Sequence, residues 1–458
     1  MGRALVSLEG FSRMPEKRSK DKEYVLKSAR DLGVKFIRLW FTDILGCLKN
    51  VAITIEELEE ALEEGVGFDG SAVEGFTRSE ESDMIALPDP NTFVILPWRP
   101  KENAVARMIC DIVKPGGEPF DGDPRYILKK NLRKAADLGY TFYVGPELEH
   151  FYFKSAEDPQ PLDNGGYFDL TPLDLATDLR RETILAMEEL GVGVEFSHHE
   201  VAPSQHEIDI RYADALTMAD NPMTYRLVVK EIALKNGVYA TFMPKPLADQ
   251  NGSGMHVNIS LFKGENNVFF DKDSANGLSK DGKYFLAGLL KHAREFTVVT
   301  NQWVNSYKRL TPGFEAPVYV TWALTNRADM IRIPRTKPGK ESAFRLELRS
   351  PDPACNPYLA FSVILAAGLD GLKSKESLQP AAETNVASLS PEERRRQGVQ
   401  VLPRDLGEAI ALAEESPLLR EALGKHIFAS FLKNKKVEWE RYRAAVTDFD
   451  RKNYLPLL

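Results

Sequence analysis

Two glutamates one residue apart, Glu147 and Glu149 in Gly145-Pro146-Glu147-Leu148-Glu149, have the spacing of a chemical site. The residues before them (Thr141, Phe142, Tyr143, Val144) are β-branched or aromatic and read as a strand interrupted by a Gly-Pro break. Strand side chains alternate between faces, so both carboxylates point the same way. Two like charges at that spacing repel by about 3 kcal/mol at an effective dielectric of ~20. Solvent, a raised pKa or a bound cation would offset the repulsion. A solvated strand face accounts for the pair as well as a cation site does.

Three further segments shift the balance. Glu200 and Glu207 flank a proline-containing turn, and Glu207 shares a strand face with Asp209. Gly252-Ser253-Gly254 leads into a strand with His256, Asn258 and Ser260 on one face. A lone histidine there is more often a satisfied structural residue, but the small residues before it permit a close backbone approach. Arg345-Leu346-Glu347-Leu348-Arg349 alternates charges with leucines, which presents Glu347 as a face-exposed carboxylate. That row reads as an ion-paired sheet surface or as a binding face. Arg309, Arg327, Arg332 and Arg335 lie nearby in sequence and favour the second reading, because guanidiniums suit bidentate recognition of carboxylate and phosphate. Many carboxylates, one imidazole and no thiolate suit magnesium or manganese, not zinc or copper. Two such ions with arginines around a polyanion fit phosphoryl transfer from a nucleotide. Spacing alone does not bring the segments together.

The elements that must position them are of mixed type. Residues 35–41 and 51–54 read as strands, and Thr54 with Glu57 as a capping box opening a helix. Strands are expected at 92–96 and 104–113. The Gly- and Pro-rich stretch 114–122 is the best boundary, followed by Asp123-Pro124 as a helix start. Strands and helices then alternate irregularly, including a helix initiated at Pro222, and the last eighty residues read mostly as helices. There is no GxxxxGK[ST]. With 458 residues, 43% hydrophobic and 28% charged, the chain is long enough for two or three domains. A net charge of −8 argues against nonspecific nucleic-acid binding. The longest apolar stretch, 358–369, is too short to span a bilayer and reads as a buried helix. Three scattered cysteines and no signal peptide point to the cytoplasm.

Seven motifs occur in order: FDGSAVEGF (68–76), GPELE (145–149), SHHEVAPSQHEID (197–209), NGSGMH (251–256), NSYKRLTPGFEAP (305–317), NRADMIRIP (326–334) and RLELRSPDPACNPYLA (345–360). Through them the chain resembles the glutamine synthetases of the bacterial and archaeal type I class along nearly its whole length. The resemblance implies an α+β fold: an arm over residues 1–20, a small β-grasp domain over 21–113, a linker over 114–122, and a catalytic domain over 123–458 with a curved antiparallel sheet. It implies homo-oligomers of hexameric rings, usually two stacked, with each active site between subunits.

Carried across by motif, Glu149, Glu200 and Glu207 would hold one Mg2+ or Mn2+ ion, and Glu147, His256 and Glu347 another. Arg309 and Arg349, with Asn251 and Gly252, would bind substrate glutamate. Arg327 would neutralise the transferred phosphoryl group. Arg332 and Arg345 would hold ATP phosphates, with Ser260 near the adenine end. Asp69 from a neighbouring subunit would help deprotonate ammonium, and Glu315 would shield an acyl phosphate from water. His150, where the family usually has an aromatic residue, is expected to face away from the site. Arg78 matches an arginine tied to glutamine feedback in the alpha subclass, where a nitrogen-regulatory protein is a possible partner. The activity implied is ATP-dependent ligation of ammonia to glutamate. The alternatives are a glutamate–amine ligase of the same fold, favoured less because Asp69, Tyr167 and Glu315 are intact, and a non-catalytic relative.

Overall fold

The computed structural model describes residues 20–75, 82–382 and 386–458. Arg78 therefore lies outside the described residues. The first element, the helix Lys22–Asp31, is capped by the Asp21 side chain and buries Val25 and Ala29, one helical turn apart. A six-stranded sheet follows. Its central strands, Val34–Thr42 and Ala104–Val113, run parallel, and the other pairings are antiparallel. Strands Leu48–Thr54 and Val66–Asp69 form its edges.

The larger sheet has ten strands. Thr141–Phe153 lies between Gln205–Ile210 and Met255–Lys263, and beyond the latter come Leu346–Leu348, Ile331–Arg332 and Trp322–Ala323. The last two strands run parallel, so this sheet is mixed where an antiparallel one was expected. Its hydrophobic core is closed by the helices Ala215–Lys235, Lys280–Thr300 and Pro357–Ser374. Pro357–Ser374 contains the apolar stretch 358–369, buried as expected. Among the described residues, no helix is long and apolar enough to cross a membrane.

Three local expectations are corrected. Thr141–Phe153 runs straight through Gly145-Pro146. On one side, Ala213–Asp214 pairs with Val144 and Tyr143, and Gln205–Ile210 pairs only from Glu147 onward. Pro146 falls in the gap between these partners, where no N–H is needed on that side. Thr54 makes no side-chain cap; Ile55–Glu57 is a 3-10 turn and the α-helix begins at Leu58. Pro222 does not initiate a helix but lies inside Ala215–Lys235, which starts where the Asp214 side chain accepts the Thr217 N–H. The Asp123 cap on the helix Pro124–Asp137 forms as expected.

Candidate active site

Strand register assembles the site. Glu147 pairs with His256 on one side and Asp209 on the other, and Glu149 pairs with Glu207. Glu207 in turn pairs with His198, and Glu347 with both Asn258 and Arg332. Because paired residues share a face, these side chains form rows across one surface of the sheet. The surface lines a cleft of about 850 Å³.

Two groups in the cleft have the donors of a cation site. Glu147, His256 and Glu347 offer ligand atoms within 4.8 Å of one another, as do His198, Glu200 and Glu207. The first group is the expected set. The second joins two of the three residues expected at the other ion, Glu200 and Glu207, to His198, whose Nε2 lies 2.7 Å from Glu200 Oε1. Glu149 borders the same cleft, but its Oε2 accepts from Gln205 Nε2 at 2.7 Å and from the Gly254 N–H at 3.0 Å.

The electrostatics fit divalent cations. Burial, then the charge of Glu200, push the Glu149 carboxyl up to about 8. Burial, then Asp209, hold Glu207 well above the carboxylate range, and burial brings Asp209 up to about 7. Clustered buried carboxylates take up protons unless a cation neutralises them. Burial also works against the Glu147 anion, but hydrogen bonds and charge from His256, with help from Asn258 and Arg349, bring its pKa down to about 2. His256 Nδ1 faces Glu147 Oε2 at 3.1 Å. Oxygen donors with one imidazole per group suit Mg2+ or Mn2+.

Glu347 corrects an expectation: it is 3% exposed, not a face-exposed carboxylate. Arg332 Nη1 donates to it at 2.6 Å, and Arg349 donates to its other oxygen. Arg309 is also buried, and its guanidinium donates to the carbonyls of Ser350, Pro351 and Arg349 at 2.8, 3.2 and 3.0 Å. Both still line the cleft, as do Arg327, Arg332 and Arg345. Arg345 Nε donates to Asn258 Oδ1 at 2.8 Å. Ser260 turns its hydroxyl to the Phe344 carbonyl at 3.0 Å and does not line the cleft.

Asn251 reaches across to Glu315, its Nδ2 donating to Oε2 at 3.1 Å. Glu315 adopts a left-handed backbone (φ 51). The Gly252 approach has a definite cause: a Cβ there would lie 2.2 Å from the Pro244 carbonyl oxygen and 3.1 Å from Arg309 Cγ. Asp69 stands apart, on the edge strand Val66–Asp69 of the small sheet, outside the cleft of its own chain. The Ser71 hydroxyl and N–H donate to its carboxylate at 2.7 and 2.9 Å and hold its pKa below the usual range.

Sequence reasoning gave no role to His198 or Phe168, and named Tyr167 only through the family resemblance. His198 sits beside His199, and period-2 alternation from Glu200 would have turned it toward the same face. Tyr167 and Phe168, stacked at 4.1 Å, form one wall of the cleft, and Tyr167 holds the Arg327 guanidinium above its ordinary pKa. They come from an irregular loop with no periodic signal. Behind the sheet, His150 is fully buried, facing away from the cleft as expected. A third group, Asp163, His199 and His206, is also compact, but Arg180 Nη1 lies 2.7 Å from His206 Nδ1 and opposes a cation there. A separate cavity of about 740 Å³, lined by residues such as Leu48, Met223, Phe242 and Trp303, carries none of the cleft's carboxylates.

Comparison with known proteins converges on one family. The family models described as "Glutamine synthetase, catalytic domain" and "Glutamine synthetase, beta-Grasp domain" match residues 121–454 and 33–115. The chain is 53% identical over 444 residues to a glutamine synthetase of Mycolicibacterium smegmatis, covering 96% of this chain and 100% of that one. It is 52% identical over 446 residues to a glutamine synthetase of Methanosarcina mazei, covering 96% and 99%. Among solved structures, a GmaS/ADP complex superposes with a TM-score of 0.86 at 33% identity, covering 95% and 100% of the two chains. The cryoEM structure of Plasmodium falciparum glutamine synthetase superposes with a TM-score of 0.85 at 26% identity, covering 95% and 98%. A small sheet domain joined to a cleft whose carboxylates, histidines and arginines come from paired strands of a second sheet thus places this chain in the glutamine synthetase family.

Proposed function

We propose that this protein ligates ammonia to the γ-carboxylate of glutamate at the expense of ATP. The observation that carries the reading is the strand register that lines up Glu147 with His256, Glu207 with His198, and Glu347 with Arg332 in one cleft. Glu147, His256 and Glu347 would hold one Mg2+ or Mn2+ ion, and Glu200, Glu207 and His198, with Glu149 alongside, a second. Bound there, such ions supply charge neutralisation at the phosphates and at the reacting carboxylate.

The remaining chemistry belongs to the side chains. Arg332 and Arg345 orient the ATP phosphates, while Arg309 and Arg349 give the cleft floor a positive field for the glutamate carboxylates. A γ-carboxylate oxygen attacks the terminal phosphorus, the bond to ADP breaks, and Arg327 neutralises the charge on the transferred group. Ammonia then attacks the acyl carbon, inorganic phosphate leaves, and the proton shed by ammonium passes to Asp69 of the partner subunit. Glu315, tied to Asn251, closes over the acyl phosphate and keeps water out. The position of Asp69 outside its own cleft supports a homo-oligomer with shared sites. We assign stacked hexameric rings on the family resemblance and the alpha subclass, with a nitrogen-regulatory partner, on Arg78, and place the protein in the cytoplasm.

Phosphate release with glutamate and ATP, given ammonium, putrescine or ethanolamine as the sole acceptor, tests the reading. Ammonium-dependent turnover is the expected result. Turnover with the amines alone would replace this reading with an amine ligase, and turnover with none would indicate a non-catalytic relative.

A further inference from the structure

The loop between Thr141–Phe153 and the helix Thr177–Glu189 carries Tyr167 and Phe168 to the cleft, with both rings largely exposed (46% and 63%). Exposed aromatics on an irregular loop form a defined wall only if the loop is anchored elsewhere. The anchor is one buried carboxylate, Asp163, 7% exposed. Its Oδ1 accepts from the N–H groups of Ser204 (2.9 Å) and Gly165 (3.3 Å), and its Oδ2 accepts from the Leu175 N–H at 3.0 Å. The middle of the loop, its C-terminal end and the turn following Glu200 therefore meet on a single side chain.

His199 completes the link. Its Nε2 lies 3.0 Å from Asp163 Oδ1, and its Nδ1 lies 2.6 Å from the carbonyl oxygen of Glu200. Both partners are acceptors, so the ring donates from both nitrogens. The His199 carbonyl in turn accepts the Phe168 N–H at 3.0 Å. Space is tight: a Cβ on Gly165 would lie 2.7 Å from His199 Nε2, so only glycine lets the loop approach the ring. Ser204 adds a second tie, its hydroxyl accepting the N–H groups of Leu162 and Asp163 at 2.5 and 3.1 Å. On the cleft side, His198 stands edge-on to Phe168 at 4.8 Å while its Nε2 holds Glu200.

We propose that Asp163, acting through His199, is a positioning residue that fixes the Glu200 turn and the Tyr167–Phe168 wall as one rigid unit, so that a cation-holding carboxylate and the wall carrying Tyr167, one of the residues that favour ammonia as the acceptor, keep a common geometry. The acceptor half of this proposal rests on the ligase reading above; the cation half does not. Asp163 touches neither substrate nor ion, and its effect is confined to one side of the cleft. The nucleotide side, built on Arg332, Arg345 and Glu347, shares no hydrogen bond with it among the described residues.

The test compares Asp163→Asn and His199→Gln, singly and combined, with the wild-type protein. Mn2+ titration of metal-free protein, KM values for ammonium and ATP, and thermal unfolding are the readouts. Each single variant is expected to weaken one of two Mn2+ sites about tenfold and leave the other intact. Each is expected to raise the KM for ammonium about tenfold or more and change that for ATP less than about threefold. The double variant is expected to do no more than the worse single one, since the two residues act as a unit. Equal weakening of both Mn2+ sites, parallel rises in both KM values, unchanged values, or additive losses would each overturn the proposal. If Asp163→Asn fails to fold, His199→Gln decides by the same readouts. Should the wild type fail to use ammonium, the ligase reading falls while the Mn2+ titration still decides whether Asp163 positions Glu200.

Discussion

Glu147 and His256 face each other directly across two antiparallel strands, with Glu147 Oε2 3.1 Å from His256 Nδ1. That pairing keeps Glu147 charged in a half-buried place where desolvation works against the anion. It also leaves His256 Nε2 turned toward Glu149, 3.8 Å from Oε1. One imidazole thus stands between two carboxylates of opposite behaviour, one brought down to about 2 and the other pushed up to about 8. The difference follows from burial and charge: burial, then the Glu200 carboxylate, raise Glu149, whereas at Glu147 burial is outweighed by the hydrogen bond and charge of His256, with Asn258.

Glu347 separates charge from chemistry. Because it lies between Arg332 and Arg349 and is almost fully buried, Glu347→Ala leaves two guanidiniums without their acceptor. Breaking such a pair costs about 3–5 kcal/mol, so this variant should lose both turnover and thermal stability. Glu347→Gln keeps the volume and one acceptor and should lose turnover with a smaller fall in Tm. ATP turnover and thermal unfolding of both variants check this, and full turnover in Glu347→Gln would remove Glu347 from the site.

The raised carboxyls make stability depend on pH and on metal together. Glu149 (about 8) and Asp209 (about 7) hold protons in the metal-free fold that the unfolded chain has released. The folded state then binds more protons than the unfolded one between the ordinary carboxylate range and these values, so metal-free stability falls as pH rises through that window. Bound Mg2+ competes with those protons. The gap in Tm between Mg2+-loaded and metal-free protein should therefore widen from pH 6 to pH 8.5, as followed by differential scanning fluorimetry. A constant gap would mean that no cation meets these groups.

Glu315 holds a left-handed backbone conformation and is tied by Asn251, a strained position of the kind that costs about 1–3 kcal/mol outside glycine. Glu315→Ala should let water reach the acyl phosphate, so that phosphate released exceeds glutamine formed. Measuring both products from one reaction checks this. A ratio that stays at unity with the rate unchanged would make the loop a plain surface feature.

Shared active sites allow complementation. Asp69→Asn and Glu347→Gln should each be inactive alone. Mixed and reassembled in equal amounts, they should recover about a quarter of wild-type activity, since random pairing joins an intact Asp69 to an intact Glu347 at that frequency. No recovery in verified mixed oligomers would place Asp69 and Glu347 in the same chain's site.

Much of this site was legible in the sequence, because alternation is a strong signal. It placed Glu147 with Glu149, and Glu207 with Asp209, on common faces, and it turned His150 away from them. Where it failed, tertiary pairing decided. Pro146 reads as a strand break until the gap between its two partners on one side is known. Pro222 reads as a helix start until the Asp214 cap is seen upstream. The exposure of Glu347 was misjudged because the arginines on either side of it come from neighbouring strand positions and bury it. Tyr167 was legible only through the family resemblance and Phe168 not at all, since both lie outside any strand or helix and carry no periodic pattern.

The central claim is that side chains from separate strands are drawn together around two divalent ions. Mn2+ titration of the metal-free protein, by calorimetry or electron paramagnetic resonance, tests it most directly. The account predicts two tightly bound ions per chain, with His256→Ala losing one and keeping the other. Absence of tight binding, or two ions still held by His256→Ala, would contradict it.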